Sequence, residues 1–354
     1  MTSQWGLVLG LRWINDDKKG KYGQSDNESQ VCLNTIANVG ANQLPSSFAP
    51  FAVAFSCISN IAPIDTPNTP FPRSFDDTFK DEELTYTVKS AYDINEFANT
   101  YASFTHGYKA GGFNLDASAA IGGAEPRFNS ETTDAWEIGY KAEFWQRRLR
   151  ANLAAFHQEM NGFQVLEFTG IQFKTFNVPT VLSSGFEAEF LLNATDDLDL
   201  SLAMTFLDAR YADNCDKGDS QNEPVSRLCG NRLTNAPSFV SVVGFDYLTQ
   251  LADTHLTFFI HGSLRHENKR RTATQAFDSN GIANANDWQN TNNKTNLRIG
   301  LGDSDGDWTV ELWGHNIFDK QTQSITFNLP LRTGARATFF EAPRTYGLTL
   351  RTEF

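Results

Sequence analysis

The sequence contains no apolar run long enough to cross a membrane as a helix. No stretch of about 18 apolar residues occurs anywhere, and the mean hydropathy of the 354-residue chain is -0.40. Helical membrane spans are therefore excluded. Strands that cross a membrane are not excluded, because each needs only about 10 residues, of which half are apolar.

Positive charge is also scarce. The 29 lysines and arginines are outnumbered by 42 acidic residues, and the net charge is -13. This balance argues against nucleic acid as a partner, because nucleic-acid binding depends on positive charge that offsets the phosphates. In a membrane barrel, we expect the acidic residues to lie in loops and in the lumen.

A secretion leader is lacking as well. Met1 to Gln4 run directly into the first apolar segment, without a basic region followed by an apolar one. We therefore expect Met1 to lie inside a longer reading frame, or the gene to be truncated.

Aromatic residues are plentiful, and they end rows of alternating apolar residues. The chain has 29 Phe, 9 Tyr and 7 Trp. Trp5, Leu7, Leu9, Leu11 and Trp13 share one face of the first such segment, because side chains alternate along a strand at period two. A strand that crosses a membrane places rings at both interfaces in this way.

The carboxy-terminal segment shows the same alternation. Its apolar face carries Tyr346, Leu348, Leu350 and Phe354, with Thr352 among them. The opposite face carries Thr345, Thr349, Arg351 and Glu353. This pattern predicts a final strand with one face in an apolar medium and one in a polar medium.

The alternation predicts about twelve strands, and the links between them sort by length. The strands lie near 4–15, 83–93, 97–109, 132–145, 149–167, 172–193, 198–211, 238–249, 254–270, 290–301, 308–324 and 342–354. Short links near 146–148, 195–197, 251–253 and 303–306 alternate with long ones near 16–82, 110–131, 212–237, 271–289 and 325–341. The link near 168–171 is short where a long one is expected. Such sorting is typical of outer-membrane barrels, whereas a soluble β-sandwich, the alternative, has strands of about 5–6 residues.

Six segments resemble the TonB-dependent receptors, which are plugged outer-membrane transporters. The segments are YASFTHGYKAGGFN at 101–114, ETTDAWEIGYK at 131–141, SSGFEAE at 183–189, NAP at 235–237, WGHNIFDK at 313–320 and APRTYG at 342–347. Their order and spacing carry the resemblance, which covers the chain from Trp5 to Phe354.

The resemblance implies an all-β fold, an antiparallel up-and-down transmembrane β-barrel domain over residues 1–354 with short periplasmic turns and long extracellular loops. The receptors that it resembles have about 22 strands around a plug, and this chain has room for about half of that number. The sequence has no segment that resembles a plug or a TonB box. We therefore interpret it as the carboxy-terminal part of a receptor barrel, located in the cell outer membrane of a Gram-negative bacterium.

The function implied by the resemblance is energy-coupled uptake of a large, scarce solute. A ferric siderophore is expected, although the family also carries cobalamin and glycans. The implied partners are outer-membrane lipid, the barrel-assembly machinery and the TonB complex, which would act through the missing plug region. Tyr346, Leu348, Leu350 and Phe354 are expected to form the outer-membrane assembly signal. We expect no catalytic, cofactor-binding or metal-binding residues.

The four cysteines lie in the long predicted loops. Their even number in an oxidising compartment predicts two disulfides, Cys215–Cys229 and Cys32–Cys57, with four free thiols as the alternative. The first would close a loop of about 15 residues, worth roughly 3 kcal/mol. No CxxC spacing occurs, which argues against a zinc or redox site. The six histidines are scattered, and we expect them at the membrane interface or in the lumen.

A complete small outer-membrane barrel is the alternative to a receptor fragment. It would act as a passive pore or as a phospholipase-like enzyme, and the enzyme would need a Ser–His pair. Ser103 and His106 are close in sequence, but their odd spacing places them on opposite faces of a strand. A fragment would instead form an open, C-shaped wall, because the neighbours of its first and last strands would lie upstream of Met1.

Overall fold

One antiparallel sheet of twelve long strands dominates the computed structural model. The structure describes residues 4–24, 31–41, 43, 73–115, 126–168, 173–215, 223–274, 284–329 and 335–353. The strands in the described residues are β1 (Trp5–Gln24), β2 (Arg73–Asn95), β3 (Ala98–Lys109), β4 (Gly112–Phe113), β5 (Arg127–Phe128), β6 (Glu131–Phe144), β7 (Leu149–Phe168), β8 (Phe173–Asn193), β9 (Leu198–Tyr211), β10 (Phe239–Gln250), β11 (Leu256–Glu267), β12 (Arg270–Arg271), β13 (Trp288–Gln289), β14 (Asn292–Asp303), β15 (Trp308–His315), β16 (Gln323–Asn328), β17 (Arg336–Phe340) and β18 (Thr345–Thr352).

Helical structure is minor in the described residues. It consists of α1 (Val31–Gly40), α2 (Glu223–Ser226) and a 3₁₀ turn at Ala285–Asp287. None of the described helices has both the length and the apolar content needed to cross a bilayer.

The long strands follow the sheet in chain order. The order is β1-β2-β3-β6-β7-β8-β9-β10-β11-β14-β15-β18, and every neighbouring pair is antiparallel. The short links at 145–148, 194–197, 251–255 and 304–307 therefore lie at one rim, the turn rim, and the long links lie at the other, the loop rim. The predicted all-β meander of about twelve strands is confirmed.

Strand lengths at the loop rim differ from those expected. β1 and β2 stay paired as far as Gln24 and Arg73, and β7 and β8 as far as Phe168 and Phe173. The short link near 168–171 therefore joins two strands that are themselves extended, so that strand takes the place of the expected long loop. β15 is shorter than expected, because Asn316 adopts a left-handed φ of 50° and ends it.

The hydrogen-bond register sorts the side chains of the long strands onto two faces. Leu9 lies opposite Val88, Val88 opposite Phe104, and Phe104 opposite Trp136, so these four share a face. Followed along the sheet, the same face carries Trp5, Tyr140, Phe186, Leu200 and Leu350, while the opposite face carries Glu137, Lys141, Glu187, Arg298 and Arg351. The faces predicted for Trp5 and Leu9 and for Leu350 against Arg351 are confirmed, and we name the two sides the apolar face and the polar face.

Aromatic side chains form two rows on the apolar face. Near the loop rim, the rings of Tyr86, Phe104, Trp136 and His157 follow one another at centroid distances of 5.8, 5.0 and 5.8 Å. Near the turn rim, Trp5 contacts Tyr92 at 4.9 Å. Aliphatic side chains lie between the rows, which is the arrangement of a lipid-facing band.

Rings on the polar face lie against glycines of the neighbouring strand. A methyl group added at Gly139 would come within 2.3 Å of the Tyr101 ring, and one at Gly300 within 2.3 Å of the Phe259 ring. Glycine is needed at these positions because the ring occupies the space of a side chain. Part of the aromatic content is thus used to pack the inner surface of the wall.

The sheet is open in the described residues. β1 pairs with β2 alone and β18 pairs with β15 alone, and no hydrogen-bonded ladder joins β1 to β18. Apolar side chains at the edges are correspondingly more exposed, with Leu9 at 69% and Leu348 at 72% against 38% for Ile299 inside the sheet. The open wall expected from the strand count is therefore observed, and a twelve-stranded closed barrel is not.

Candidate functional site

Links from several strands fold together above the loop rim. Three of them carry small two-stranded sheets, β4–β5, β12–β13 and β16–β17. The hairpin β7–β8 extends into the same region, where its side chains meet the link between β9 and β10. The loop rim is thus a folded layer of its own, in which separate links lie against one another.

A compact apolar core holds the disulfide-bearing link against the β7–β8 hairpin. The core consists of Val165, Val178, Val181, Tyr211, Cys215, Val225 and Leu228. Cys215 and Cys229 are joined by a disulfide with a Cα–Cα distance of 5.2 Å. The core side chain of Cys215 is fully buried, so the cross-link fixes α2 and the residues after it onto the hairpin.

A pocket of about 380 Å³ opens between four of the loop-rim segments, and we call it the rim pocket. Its walls come from the β7–β8 hairpin, the residue Thr234, the segment after β12 and the β16–β17 hairpin. The lining side chains are Leu166, Phe173, Thr234, Thr272, Ala273, Thr274, Ile325, Thr326, Phe327, Asn328, Arg336 and Phe339. Most of these are apolar or carry a single hydroxyl group, which is usual for a small-molecule site.

The floor of the rim pocket is a closed polar arrangement. The Arg336 guanidinium donates two hydrogen bonds to the carboxylate of Asp287, whose side chain is fully buried; one of them, from Nε to Oδ1, is 2.9 Å long. The hydroxyls of Thr272 and Thr326 are 2.9 Å apart and bond each other, and the Thr326 amide donates to the Thr272 carbonyl. These contacts connect β12, the 3₁₀ turn and the β16–β17 hairpin, so the floor is preorganised.

A partly buried ion cluster ties the β16–β17 hairpin to the sheet, and we call it the anchor cluster. Arg270 donates from Nε to Glu267 at 3.0 Å and from Nη2 to Glu341 at 2.7 Å. The Glu341 carboxylate also accepts from Lys294 and, at 2.9 Å, from the hydroxyl of Thr322. Each charge of the cluster therefore has an opposite charge beside it, as buried charges require.

The surroundings of Glu341 change its acidity. Burial opposes its ionisation, but the hydrogen bonds from Lys294 and Thr322 and the positive charges of Lys294 and Arg270 outweigh the burial. The pKa of Glu341 therefore lies below its ordinary value of 4.5, and its carboxylate is ionised at neutral pH.

The polar face of the sheet carries two charged patches at the level of the long strands. In the first, the Tyr101 hydroxyl donates to Glu137 at 2.7 Å, and the Lys89 ammonium lies 4.3 Å from the Tyr101 ring centroid. In the second, the buried Glu311 carboxylate lies 3.6 Å from Arg298 and 3.7 Å from Arg351. Charged groups of both signs on one face suit a hydrated interior or a polar partner there.

The structure describes some of the predicted site residues and not others. Cys215 and Cys229 are brought together, whereas Cys57 and the side chain of Cys32 lie outside the described residues. Tyr346, Leu348 and Leu350 lie on the apolar face of β18 at the sheet edge, and Phe354 lies outside the described residues. The described part of the chain contains no cluster of three or more His, Cys, Asp or Glu side chains suited to a metal ion.

The candidate Ser–His pair lies on opposite faces, as its odd spacing predicts, and described histidines occur on both faces of the sheet. On the apolar face His157 contacts Trp136 and His266 contacts Phe239, while His261 lies on the polar face beside Asp246. Ser103 lies on the polar face, whereas His106 lies on the apolar face with its Nδ1 2.6 Å from Asp134. Ser103 and His106 therefore do not form a catalytic pair.

The rim pocket and the anchor cluster were not predicted from the sequence. Thr272 and Asp287 belong to one link, and Arg336 and Phe339 belong to another, so the proximity of the two links has no local signal. Residues 325–341 were expected to form a long link, whereas the structure places most of β16 and all of β17 there. The alternation of Ile325 and Phe327 with polar residues is the local signal for β16 that this expectation missed.

Comparison with known proteins supports the architecture. A family model described as "TonB dependent receptor-like, beta-barrel" matches residues 1–317. The ferric yersiniabactin uptake receptor FyuA from Yersinia pestis superimposes with a TM-score of 0.65 at 13% identity, over 80% of this chain and 39% of FyuA. The siderophore receptor PiuA from Acinetobacter baumannii gives a TM-score of 0.62 at 16% identity, over 99% of this chain and 40% of PiuA.

A third similar structure is the ferric-catecholate import receptor Fiu from Escherichia coli. It gives a TM-score of 0.62 at 14% identity, over 100% of this chain and 43% of Fiu. At these identities the likeness shows the fold alone. The chain spans about two-fifths of the length of these receptors. The family and these neighbours are receptors and not enzymes.

Proposed function

Because the chain belongs to the TonB-dependent receptor β-barrel family, we propose that it forms part of the wall of an outer-membrane receptor for energy-coupled uptake of a large, scarce solute. The observation that carries this proposal is a single open sheet with one apolar face, one polar face and a pocket in its loop rim. The solute class proposed is a ferric siderophore, because FyuA is a ferric yersiniabactin uptake receptor, PiuA a siderophore receptor and Fiu a ferric-catecholate import receptor.

The apolar face supports a position in the outer membrane of a Gram-negative bacterium. The eight residue steps from Trp5 to Trp13 cover about 27 Å along a strand, or about 20 Å of height once the strand tilts by about 40°. With the rings at each end, this matches the apolar band of about 25 Å in outer-membrane barrels. Outer-membrane lipid is thus the proposed partner of this face.

The polar face supports a lumen filled by a protein partner. The pairs Tyr101–Glu137 and Arg298–Glu311 present charges of both signs to whatever lies inside the wall. A plug domain that couples to the TonB complex is the proposed partner there. The exposed apolar side chains of β18, Tyr346, Leu348 and Leu350, support the terminal strand as the segment engaged by the barrel-assembly machinery.

The rim pocket is the proposed contact site for the solute. The loop rim faces the outside of the cell in this orientation, so the solute meets it before any other part of the wall. The apolar walls and the closed polar floor of the rim pocket allow binding without a metal ion from the protein. This agrees with a solute that already holds its iron.

Deletion of the coding sequence in its host tests the proposal. We expect the deleted strain to lose growth and ⁵⁵Fe uptake on at least one ferric siderophore, and a tonB deletion to lose the same uptake. Restoring the coding sequence should restore uptake. Unchanged uptake of every siderophore that the parent strain uses would refute the proposal.

A further inference from the structure

We infer that the rim pocket binds an uncharged aromatic or apolar group on the periphery of the solute, and not an anionic iron-chelating group. The inference deepens the proposed function and rests on it for the nature of the solute. It concerns the described residues of the pocket and follows from their size, polarity and charge.

The volume of the pocket limits what can enter. At about 380 Å³ it lies near the lower end of the range of about 300–1,000 Å³ for small-molecule sites. A single ring with its substituents fits such a space, whereas a complete ferric chelate with several donor arms does not. The pocket therefore receives one group of the solute.

The walls favour a ring. The rings of Phe327 and Phe339 lie 5.5 Å apart at an angle of 35°, and Phe173 faces the same space from the β7–β8 hairpin. Aromatic rings at this separation attract each other beyond the effect of burying their area. Phe173 and Phe339 are 64% and 63% exposed without a ligand, so a bound ring would cover apolar surface that is now in water.

The charge of the pocket excludes an anion. Among the described lining residues, Arg336 alone is charged, and its guanidinium already bonds the buried carboxylate of Asp287. The pair is neutral as a unit. An anionic group would have to displace Asp287, which would leave that carboxylate buried without its partner at a high cost. A neutral group meets no such cost.

The test uses two probes of nearly the same shape, one neutral and one anionic. 4-Fluorobenzamide is neutral at pH 7 and 4-fluorobenzoate is an anion of nearly the same shape, and both are detected by ¹⁹F NMR with the full chain in detergent micelles. We expect 4-fluorobenzamide to bind at least about tenfold more tightly than 4-fluorobenzoate. Equal binding, tighter binding of the benzoate, or binding of neither probe overturns the inference.

Variants connect the signal to the pocket. Phe339→Ala should abolish the benzamide signal, whereas Phe318→Ala, at a phenylalanine of similar exposure (65%) outside the pocket, should leave it unchanged. Asp287→Asn removes the carboxylate and leaves a net positive pocket, so the preference should reverse toward 4-fluorobenzoate. An equal effect of Phe339→Ala and Phe318→Ala, or an unchanged preference in a folded Asp287→Asn chain, refutes the inference.

The probe measurement is independent of uptake, so the two proposals fail separately. Loss of probe selectivity in a chain whose host still takes up a ferric siderophore through TonB refutes the inference alone. Selective probe binding in a chain that no siderophore uptake depends on refutes the proposed function and leaves the pocket chemistry standing.

Discussion

At the scale of single residues, position along a strand decides which solvent a side chain meets. Leu200 lies opposite Phe245 and Leu192 on the apolar face, whereas the next residue, Ser201, lies opposite Gly244 on the polar face. Two neighbouring residues of one strand thus have opposite surroundings, which allows a matched test of the lipid-facing side.

We expect Leu200→Arg to impair membrane assembly far more than Ser201→Arg. A charge on the lipid face costs up to about 2–4 kcal/mol at the bilayer centre, while the same charge on the polar face stays hydrated. Folded protein in the outer-membrane fraction, measured by protease resistance, reports the difference. Equal losses from the two substitutions would contradict the assignment of the faces.

A second residue-scale prediction concerns Gly300. Its added methyl would lie 2.3 Å from the Phe259 ring and 2.7 Å from the Val310 carbonyl oxygen, so neither a rotamer change nor the backbone relieves the contact cheaply. We expect Gly300→Ala to destabilise the sheet by about 1–3 kcal/mol, seen as a lower urea midpoint in micelles. Gly6→Ala is the control, because nothing lies within 4 Å of its added methyl, and a midpoint as low as that of Gly300→Ala would contradict this account.

Individual residues show which features of the structure the sequence predicts and which it does not. Period-two alternation was sufficient to assign Leu9, Leu350 and Arg351 to their faces, because a face is a local property of a strand. The proximity of Asp287 to Arg336, 49 residues later, and of Arg270 to Glu341 was not predictable, because such contacts depend on how separate loops pack. The strands and faces were therefore predicted, and the rim pocket was not.

At the scale of elements, the β16–β17 hairpin depends on the anchor cluster. Glu341 follows β17, and it is the acceptor for Lys294 of β14, for Arg270 of β12 and for Thr322. The hairpin supplies six lining residues of the rim pocket, which are Ile325, Thr326, Phe327, Asn328, Arg336 and Phe339. Its attachment to the sheet thus decides whether the pocket keeps its shape.

We expect Glu341→Gln to loosen the hairpin at pH 7. The substitution removes a charge that holds two cations, which we estimate at about 1–3 kcal/mol, and amide hydrogen exchange between 322 and 341 should become faster. Glu353→Gln at the turn rim is the control. Exchange at the native rate in the Glu341→Gln chain would show that the cluster does not anchor the hairpin.

The acidity of Glu341 gives the same element a pH dependence. Its pKa is lowered in the folded chain, so its stabilisation is fully present above its ordinary value of 4.5 and is lost as the pH falls through the lower folded value. The protection factors of the hairpin amides, which correct the exchange rates for the intrinsic effect of pH, should therefore fall as the pH drops below 4.5 in the native chain and not in Glu341→Gln. An equal fall in both chains would assign the effect to other groups.

At the scale of the whole molecule, the main feature is that the sheet has two open edges. β1 and β18 each have one neighbour in the described residues, and their apolar side chains are nearly twice as exposed as those inside the sheet. Backbone groups that face lipid without a hydrogen-bond partner cost several kcal/mol each, and open edges promote association. An isolated chain therefore has a strong tendency to pair its edges with other strands.

We expect the chain expressed alone, behind a signal peptide, to remain an open wall that does not transport. Spin labels on Gly6→Cys in β1 and Thr349→Cys in β18 should be far apart, whereas a closed barrel of twelve strands would bring the two backbones to about 5 Å, the spacing of paired strands. A sheet with the curvature of a larger barrel does not close on itself without strain, because strand number, tilt and stagger are linked. Labels in close contact within one monomer would identify a complete small barrel, and siderophore uptake that depends on TonB in these cells would show that the chain needs no further wall.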